Sequence, residues 1–269
     1  MDFSTLVSVV REPNMCSGGY ETIREIIKES NLRHDAKILE IGSNTGFSSF
    51  EFATILPHAQ VTGIDINPQS VEFAQEKAKK YKLSNVNFLC SDARALPFDN
   101  QTFDLVFCSN VTSFIEEKEK AIIEYIRVLK KGGILAAVPI YYRKQPPQKL
   151  VQKVGEAIGT KIEVWDRSFW EGLFQRYGDL QLYFAKDYEY VPSTEEEIET
   201  YVEMVMDQKH LASVDPKIKQ ALKNRLTYLY QLFDFNLTYA GFSILLYRKC
   251  PVNRWHILHK SIPITRRER

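Results

Sequence analysis

Cysteine is scarce in this chain of 269 residues: Cys16, Cys90, Cys108 and Cys250 stand far apart, with no CxxC pair and no histidine at ligand spacing beside them. That excludes a zinc knuckle and a disulfide framework and predicts reduced thiols. The five histidines, His34, His58, His210, His256 and His259, are scattered without partnering carboxylates, so no metal centre is expected. Net charge is equally scant. A balance of +1 offers no general attraction to nucleic acid or to an acidic membrane. The exception is local: Arg248, Lys249, Arg254, Lys260, Arg266, Arg267 and Arg269 face the single acid Glu268, which reads as a solvated basic tail. No run approaches the ~20 apolar residues of a membrane span. The opening MDFSTLVSVVREP, with an acid at its second position, lacks the form of a signal peptide. A cytoplasmic protein is expected, and no internal repeat or low-complexity linker divides it.

What is present is a composition of 44% apolar and 26% charged residues, enough to bury a sizeable core. From Lys37 to Ile140 apolar strands alternate with helices. AKILEIG, AQVTGIDIN, NVNFLCSD, TFDLVFCSN and GILAAVPIYY read as strands. Phe47 to Leu56 is a helix stopped by Pro57, and PQSVEFAQEKAKKYKL is a helix opened by Pro68. EKEKAIIEYIRVLKKGG is an amphipathic helix, expected to close at two lysines and a Gly132–Gly133 cap. Such alternation predicts an α/β doubly wound, mostly parallel sheet with helices on both faces. A further helix is expected over residues 20–32. After Gln145 come helices over 148–158, 194–211 and 216–233, with strands in GDLQLYFAKDYEYV and NLTYAGFSILLYRK. This predicts one domain with a helical cap inserted among its last strands.

Between the first strand and its helix lies Gly42-Ser43-Asn44-Thr45-Gly46. A sharp strand-to-helix turn of small residues leaves free N–H groups at a positive helix end, where a ligand can approach the backbone. The dinucleotide pattern G-x-G-x-x-G fails here, because counting from Gly42 puts Asn44 and Phe47 where two of its glycines belong. Glu40-x-Gly42-x-Asn44-x-Gly46 instead resembles the E/D-x-G-x-G-x-G motif of class I S-adenosylmethionine-dependent methyltransferases. Asn44 replaces the middle glycine, and asparagine is among the few residues that tolerate a left-handed backbone. Asp65 ends the second strand nineteen residues beyond Gly46. The stretch NFLCSDARALPFDNQTFDLVFCSN and the turn VLKKGGILAAVP resemble the same family in the same order.

The resemblance covers residues 37–140 and implies a seven-stranded sheet of order 3-2-1-4-5-7-6. It implies S-adenosyl-L-methionine as cofactor, with S-adenosyl-L-homocysteine as product. Carried over by position, Glu40 fixes the methionine amino group, with Gly42, Ser43, Asn44 and Gly46 presenting backbone. Asp65 holds the ribose and Asp92 the adenine, flanked by Ile66 and Ala93. Ser109 and Asn110 sit beneath the reacting methyl, and Tyr20 takes the place of an N-terminal aromatic lid. The expected layout is a lid over 1–36, a cofactor core over 37–140, a cap over 145–235, a last strand over 236–249 and a basic tail over 250–269. Tyr141, Tyr142, Trp170 and His210 are candidates for the acceptor pocket.

In-line methyl displacement asks an enzyme chiefly to position two reactants and exclude water. A small-molecule acceptor methylated on oxygen or nitrogen is expected, with no nucleic acid or membrane partner, since there is no basic groove and no NPPY-type tetrapeptide after the fourth strand. The rivals are methylation of a protein or nucleic acid docked on the basic tail, and a non-catalytic S-adenosylmethionine-binding protein.

Overall fold

Along β4 (Phe103–Ser109), Leu105 and Phe107 pack on one side of the sheet and Val106 and Cys108 on the other, all buried. A strand apolar on both faces belongs inside a parallel sheet that helices cover twice. The computed structural model, which describes residues 3–176 and 180–250, builds that sheet. Strands β1 (Lys37–Ile41), β2 (Gln60–Asp65), β3 (Val86–Cys90), β4 and β5 (Leu129–Val138) are parallel and lie in the order 3-2-1-4-5.

Beyond them come β6 (Ile140–Tyr142), β7 (Leu180–Glu189) and β8 (Ala240–Lys249), the last antiparallel to β5, β6 and β7. Ala137 of β5 stands opposite Leu245 and Ile140 of β6 opposite Phe242, one unbroken register across Pro139. Proline has no N–H to give the ladder, so β6 is the far end of β5 beyond a single interruption. With those two counted as one strand, the observed order β3-β2-β1-β4-β5-β8-β6, with β7 paired to β8, is the expected 3-2-1-4-5-7-6.

Helices α2 (Gly19–Ser30), α3 (Phe47–Ile55) and α4 (Pro68–Lys80) close one face, bringing Ile23, Phe52 and Ala74 onto Ile38 and Phe107. On the other face, α5 (Lys118–Val128) and α7 (Arg167–Arg176) pack Tyr125, Trp170 and Phe174 against Leu39, Val106 and Tyr247. A third core joins Leu6, Val154, Val202 and Leu226 from α1 (Phe3–Val10), α6 (Gln148–Ile158), α8 (Glu195–Met206) and α9 (Pro216–Leu237). That cluster is the cap. The segment expected as one N-terminal lid therefore divides, α1 joining the cap and α2 the sheet.

Local chemistry explains where the helices begin. Asn67 Oδ1 accepts from the N–H groups of Gln69 and Ser70 ahead of α4, and Thr194 and Glu197 form a reciprocal capping box on α8. The expected Gly132–Gly133 cap is corrected: α5 stops at Val128, because buried Leu129 turns extended and pairs opposite Phe103. Gly132, at φ 75°, then serves the irregularity between Phe103 and Leu105. Two helices that sequence reasoning did not mark, α1 and α7, complete the set among the described residues. The basic tail over 251–269 lies outside those residues. Arg248 and Lys249, which open the basic stretch, belong to β8, and Lys249 Nζ donates to the Ile126 and Leu129 carbonyls at 2.5 and 2.7 Å, where α5 ends. Among the described residues no helix is long and apolar enough to cross a membrane.

Candidate active site

The turn after β1 alternates left-handed and ordinary backbone: φ is 72° at Gly42, 44° at Asn44 and 91° at Gly46. Asn44 thus adopts the geometry its side chain tolerates, as the sequence predicts. Gly42 has a second constraint, since a Cβ there would lie 2.5 Å from a Val111 methyl. At Gly46 a Cβ would meet the Phe50 and Phe88 rings at 2.6 and 2.8 Å. The turn is pinned to β2 by two bonds: the Ser43 N–H donates to the Ile64 carbonyl and the Asn44 N–H to Asp65 Oδ2, both at 2.8 Å. Asp65 Oδ1 accepts from the Asn67 N–H at 2.9 Å. Burial pushes the Asp65 carboxyl above its usual range, opposed by the N–H groups of Asn67 and Asn44.

Glu40, next to last in β1, is buried, and its Oε2 accepts from Ser49 Oγ at 2.5 Å. Loss of solvent raises its pKa to about 7, outweighing the hydroxyls of Ser49 and Ser48. Across the strand ends, Asn110 is also left-handed, at φ 54°, and its Oδ1 accepts from Ser113 Oγ at 2.9 Å.

These groups border one cavity of about 840 Å³ at the carboxyl ends of β1, β2 and β4, the place where open parallel sheets bind ligands. Glu40, Gly42, Ser43, Asn44, Asp65, Ser109 and Asn110 all reach it, and its far wall is built by the cap. Ser43 Oγ and Asn44 Oδ1 are buried beside it with no hydrogen-bond partner. Buried polar atoms are normally satisfied, so both of these remain free to bond a polar guest.

A family model described as a methyltransferase domain matches residues 32–224. The chain belongs to that methyltransferase domain family. Its relatives include the uncharacterized methyltransferase YcgJ of Bacillus subtilis, 29% identical over 145 residues, 54% of this chain and 56% of that protein. Another is the ubiquinone/menaquinone biosynthesis C-methyltransferase UbiE of Stutzerimonas stutzeri, 32% identical over 153 residues, 55% of this chain and 59% of that one. The chain spans a little over half the length of both. Among solved structures, the MccD protein is similar with a TM-score of 0.72 at 26% identity, over 88% of this chain and 99% of that chain.

Within the methyltransferase frame, the other expected residues fall in three groups. Tyr142 borders the cavity, and its hydroxyl donates to Asn236 Oδ1 at 3.0 Å. Asp92, Ile66 and Ala93 stand outside the cavity wall. Ile66 is 69% exposed, and Ala93 packs under α5. Arg94 grips Asp92 with bonds of 2.7 to 3.1 Å and holds its carboxyl below the usual range. Tyr20 packs edge-on against Phe47 with ring centroids 4.9 Å apart, beside the turn but not on the cavity.

The third group is corrected. Trp170 is 1% exposed and belongs to the core under β8, and Tyr141 is buried with its hydroxyl 3.1 Å from Ser243 Oγ. Both are packing residues: alternation along β6 sends Tyr141 to the sheet face opposite Tyr142. His210 sits on a short turn with Nε2 3.1 Å from the Val9 carbonyl, away from the cavity. Trp165, not Trp170, reaches the cavity, stacked on Phe169 at 4.6 Å. Sequence reasoning missed Ser48 and Asn236, which also line the cavity. Only Ser48 had a local signal, as a small polar residue in the first turn of α3 beside the glycine turn.

Proposed function

We propose that this methyltransferase domain transfers a methyl group from S-adenosylmethionine to an oxygen or nitrogen atom of a small-molecule acceptor. The observation that carries the reading is the single cavity in which Glu40, the glycine turn and Asp65 share a wall with the cap. The cofactor supplies a methyl group activated by its sulfonium. The chain's part is to hold both reactants and keep water out.

Glu40, buried and acceptor-rich, suits the amino group of the methionine moiety, and unpartnered Ser43 Oγ and Asn44 Oδ1 suit its polar atoms. Asp65, already accepting two backbone N–H bonds, has the lone pairs to take ribose hydroxyls as well. Asp92, Ile66 and Ala93 would flank the adenine at the rim, and Tyr20 would cover the turn from outside. Ser109 and Asn110 stand at the end of β4, on the side where the methyl would face the cap. A site roofed by α6, α8 and α9 favours a small molecule over a polymer. Alignment in such a water-poor space supplies the rate, with no metal required of the reading.

Transfer to carbon is the second reading, because UbiE, a relative at 32% identity, is named a C-methyltransferase. Calorimetric titration with S-adenosylhomocysteine tests the common part of both. Wild type is expected to bind and Asp65→Ala to bind on the order of 10- to 100-fold more weakly. Unchanged affinity in the variant would remove Asp65 from the site, and no binding to wild type would end the proposal.

A further inference from the structure

The cavity has two chemically different ends. Toward the strands its wall carries the acids Glu40 and Asp65; toward the cap it presents Val154, Ile158, Ile162, Ile198, Phe233 and Leu237. Three charged residues border the apolar end. Lys161 and Glu163 pair with each other at 2.5 Å, with side chains 84% and 44% exposed, which places that pair at the mouth. Asp234 Oδ1 accepts from the Ser193 N–H at 2.9 Å. At the junction of the two ends stand Tyr142 and Asn236. Because the tyrosine hydroxyl occupies Asn236 Oδ1, the amide orientation is fixed, and its Nδ2 hydrogens, without a partner among the described residues, are left as donors.

We infer that the methyl acceptor is a molecule with an extended apolar body and one hydrogen-bond-accepting group, the body lying against the α6, α8 and α9 wall and the polar group meeting Asn236. This deepens the proposed function and rests on it. A short polar acceptor would leave six apolar side chains wet. Exposed Val191 beside the mouth gives the apolar body a compatible entrance.

The test uses the full chain saturated with S-adenosylhomocysteine, titrated calorimetrically with 4-methyl-, 4-butyl-, 4-hexyl- and 4-octylphenol. Affinity is expected to rise about fourfold per added methylene until the apolar end is full. Phe233→Asn and Ile162→Asn should each flatten the series, and Asn236→Ser should weaken every member by about the same factor, near tenfold. A flat or falling series in wild type overturns the inference, as does a rise that both wall variants leave intact. S-adenosylhomocysteine binding separates the two failures: lost in wild type, it sinks the proposed function, whereas a flat series with binding intact sinks only the apolar acceptor. The two wall substitutions sit on different segments, so misfolding of one leaves the other to decide.

Discussion

Replacing Glu40 by glutamine should remove a pH dependence from two measurable quantities. Burial raises the Glu40 pKa from 4.5 to about 7, with the neighbouring Asp65 charge adding in the same direction. A carboxyl whose folded pKa lies above its unfolded value stabilises the fold fully below the unfolded value, and that contribution is lost as pH climbs through the folded value. A rise of roughly 2.5 units at 1.36 kcal/mol each makes the loss about 3 kcal/mol between pH 4.5 and 8. Glutamine fills the same space, and its Oε1 still accepts from Ser49 Oγ, so the variant lacks only the titration. Urea unfolding at half-unit pH steps is the assay. The stability of Glu40→Gln minus that of wild type should grow by about 2.5 kcal/mol from pH 5 to 8. Ligand binding should move the opposite way: S-adenosylhomocysteine, whose ammonium needs the carboxylate, should bind wild type more tightly as pH rises through 7. The variant should bind weakly at every pH. A stability difference that stays constant with pH would refute both the burial of Glu40 and the role given to it.

Three further outcomes follow from particular contacts. Asn44→Ala should destabilise by roughly 1 kcal/mol in urea titrations because alanine resists the left-handed φ of 44°, while Asn44→Gly should cost less than half as much. Glu12, buried and holding the hydroxyls of Tyr201 and Tyr230 on one oxygen, has a carboxyl pushed up by burial. Glu12→Ala leaves both hydroxyls without that acceptor and should lower thermal stability by about 2 to 4 kcal/mol, with Glu12→Gln recovering most of it. Asp92→Asn should weaken S-adenosylhomocysteine by less than Asp65→Ala does in calorimetry, since Arg94 already occupies both Asp92 oxygens.

The sheet was legible because its signals are local. Each parallel strand is a short apolar run, and the starts of α4, α8 and α9 carry side-chain caps from Asn67, Thr194 and Asp215. The glycine turn was legible for the same reason: its φ values are demanded residue by residue, and Asp65 lies where β2 ends beside it. What misled was also local evidence, read without its tertiary competitor. Gly132 and Gly133 look like a helix cap until Leu129 is seen to have a strand partner in Phe103. Trp170 and Trp165 sit five residues apart in one aromatic stretch. Only the packing of α7 on β8 decides that the first is core and the second reaches the cavity.

The cap side of the cavity was less legible because its parts meet across very long separations. Tyr142 bonds to Asn236 over 94 residues, and Glu12 to Tyr201 over 189. No period or spacing encodes such pairs; each half is an ordinary strand or helix residue until the chain closes. Glu12 also shows how the two halves of the site are joined. Thr45 Oγ1, inside the glycine turn, donates to the Glu12 carbonyl at 2.7 Å, while the Glu12 side chain is held by α8 and α9. One residue therefore links the turn proposed to hold the cofactor to the helices that wall the cap end of the cavity. Disorder in that N-terminal segment would loosen both at once, which gives the segment before α2 a role in assembling the site that its distance from the sequence motifs conceals.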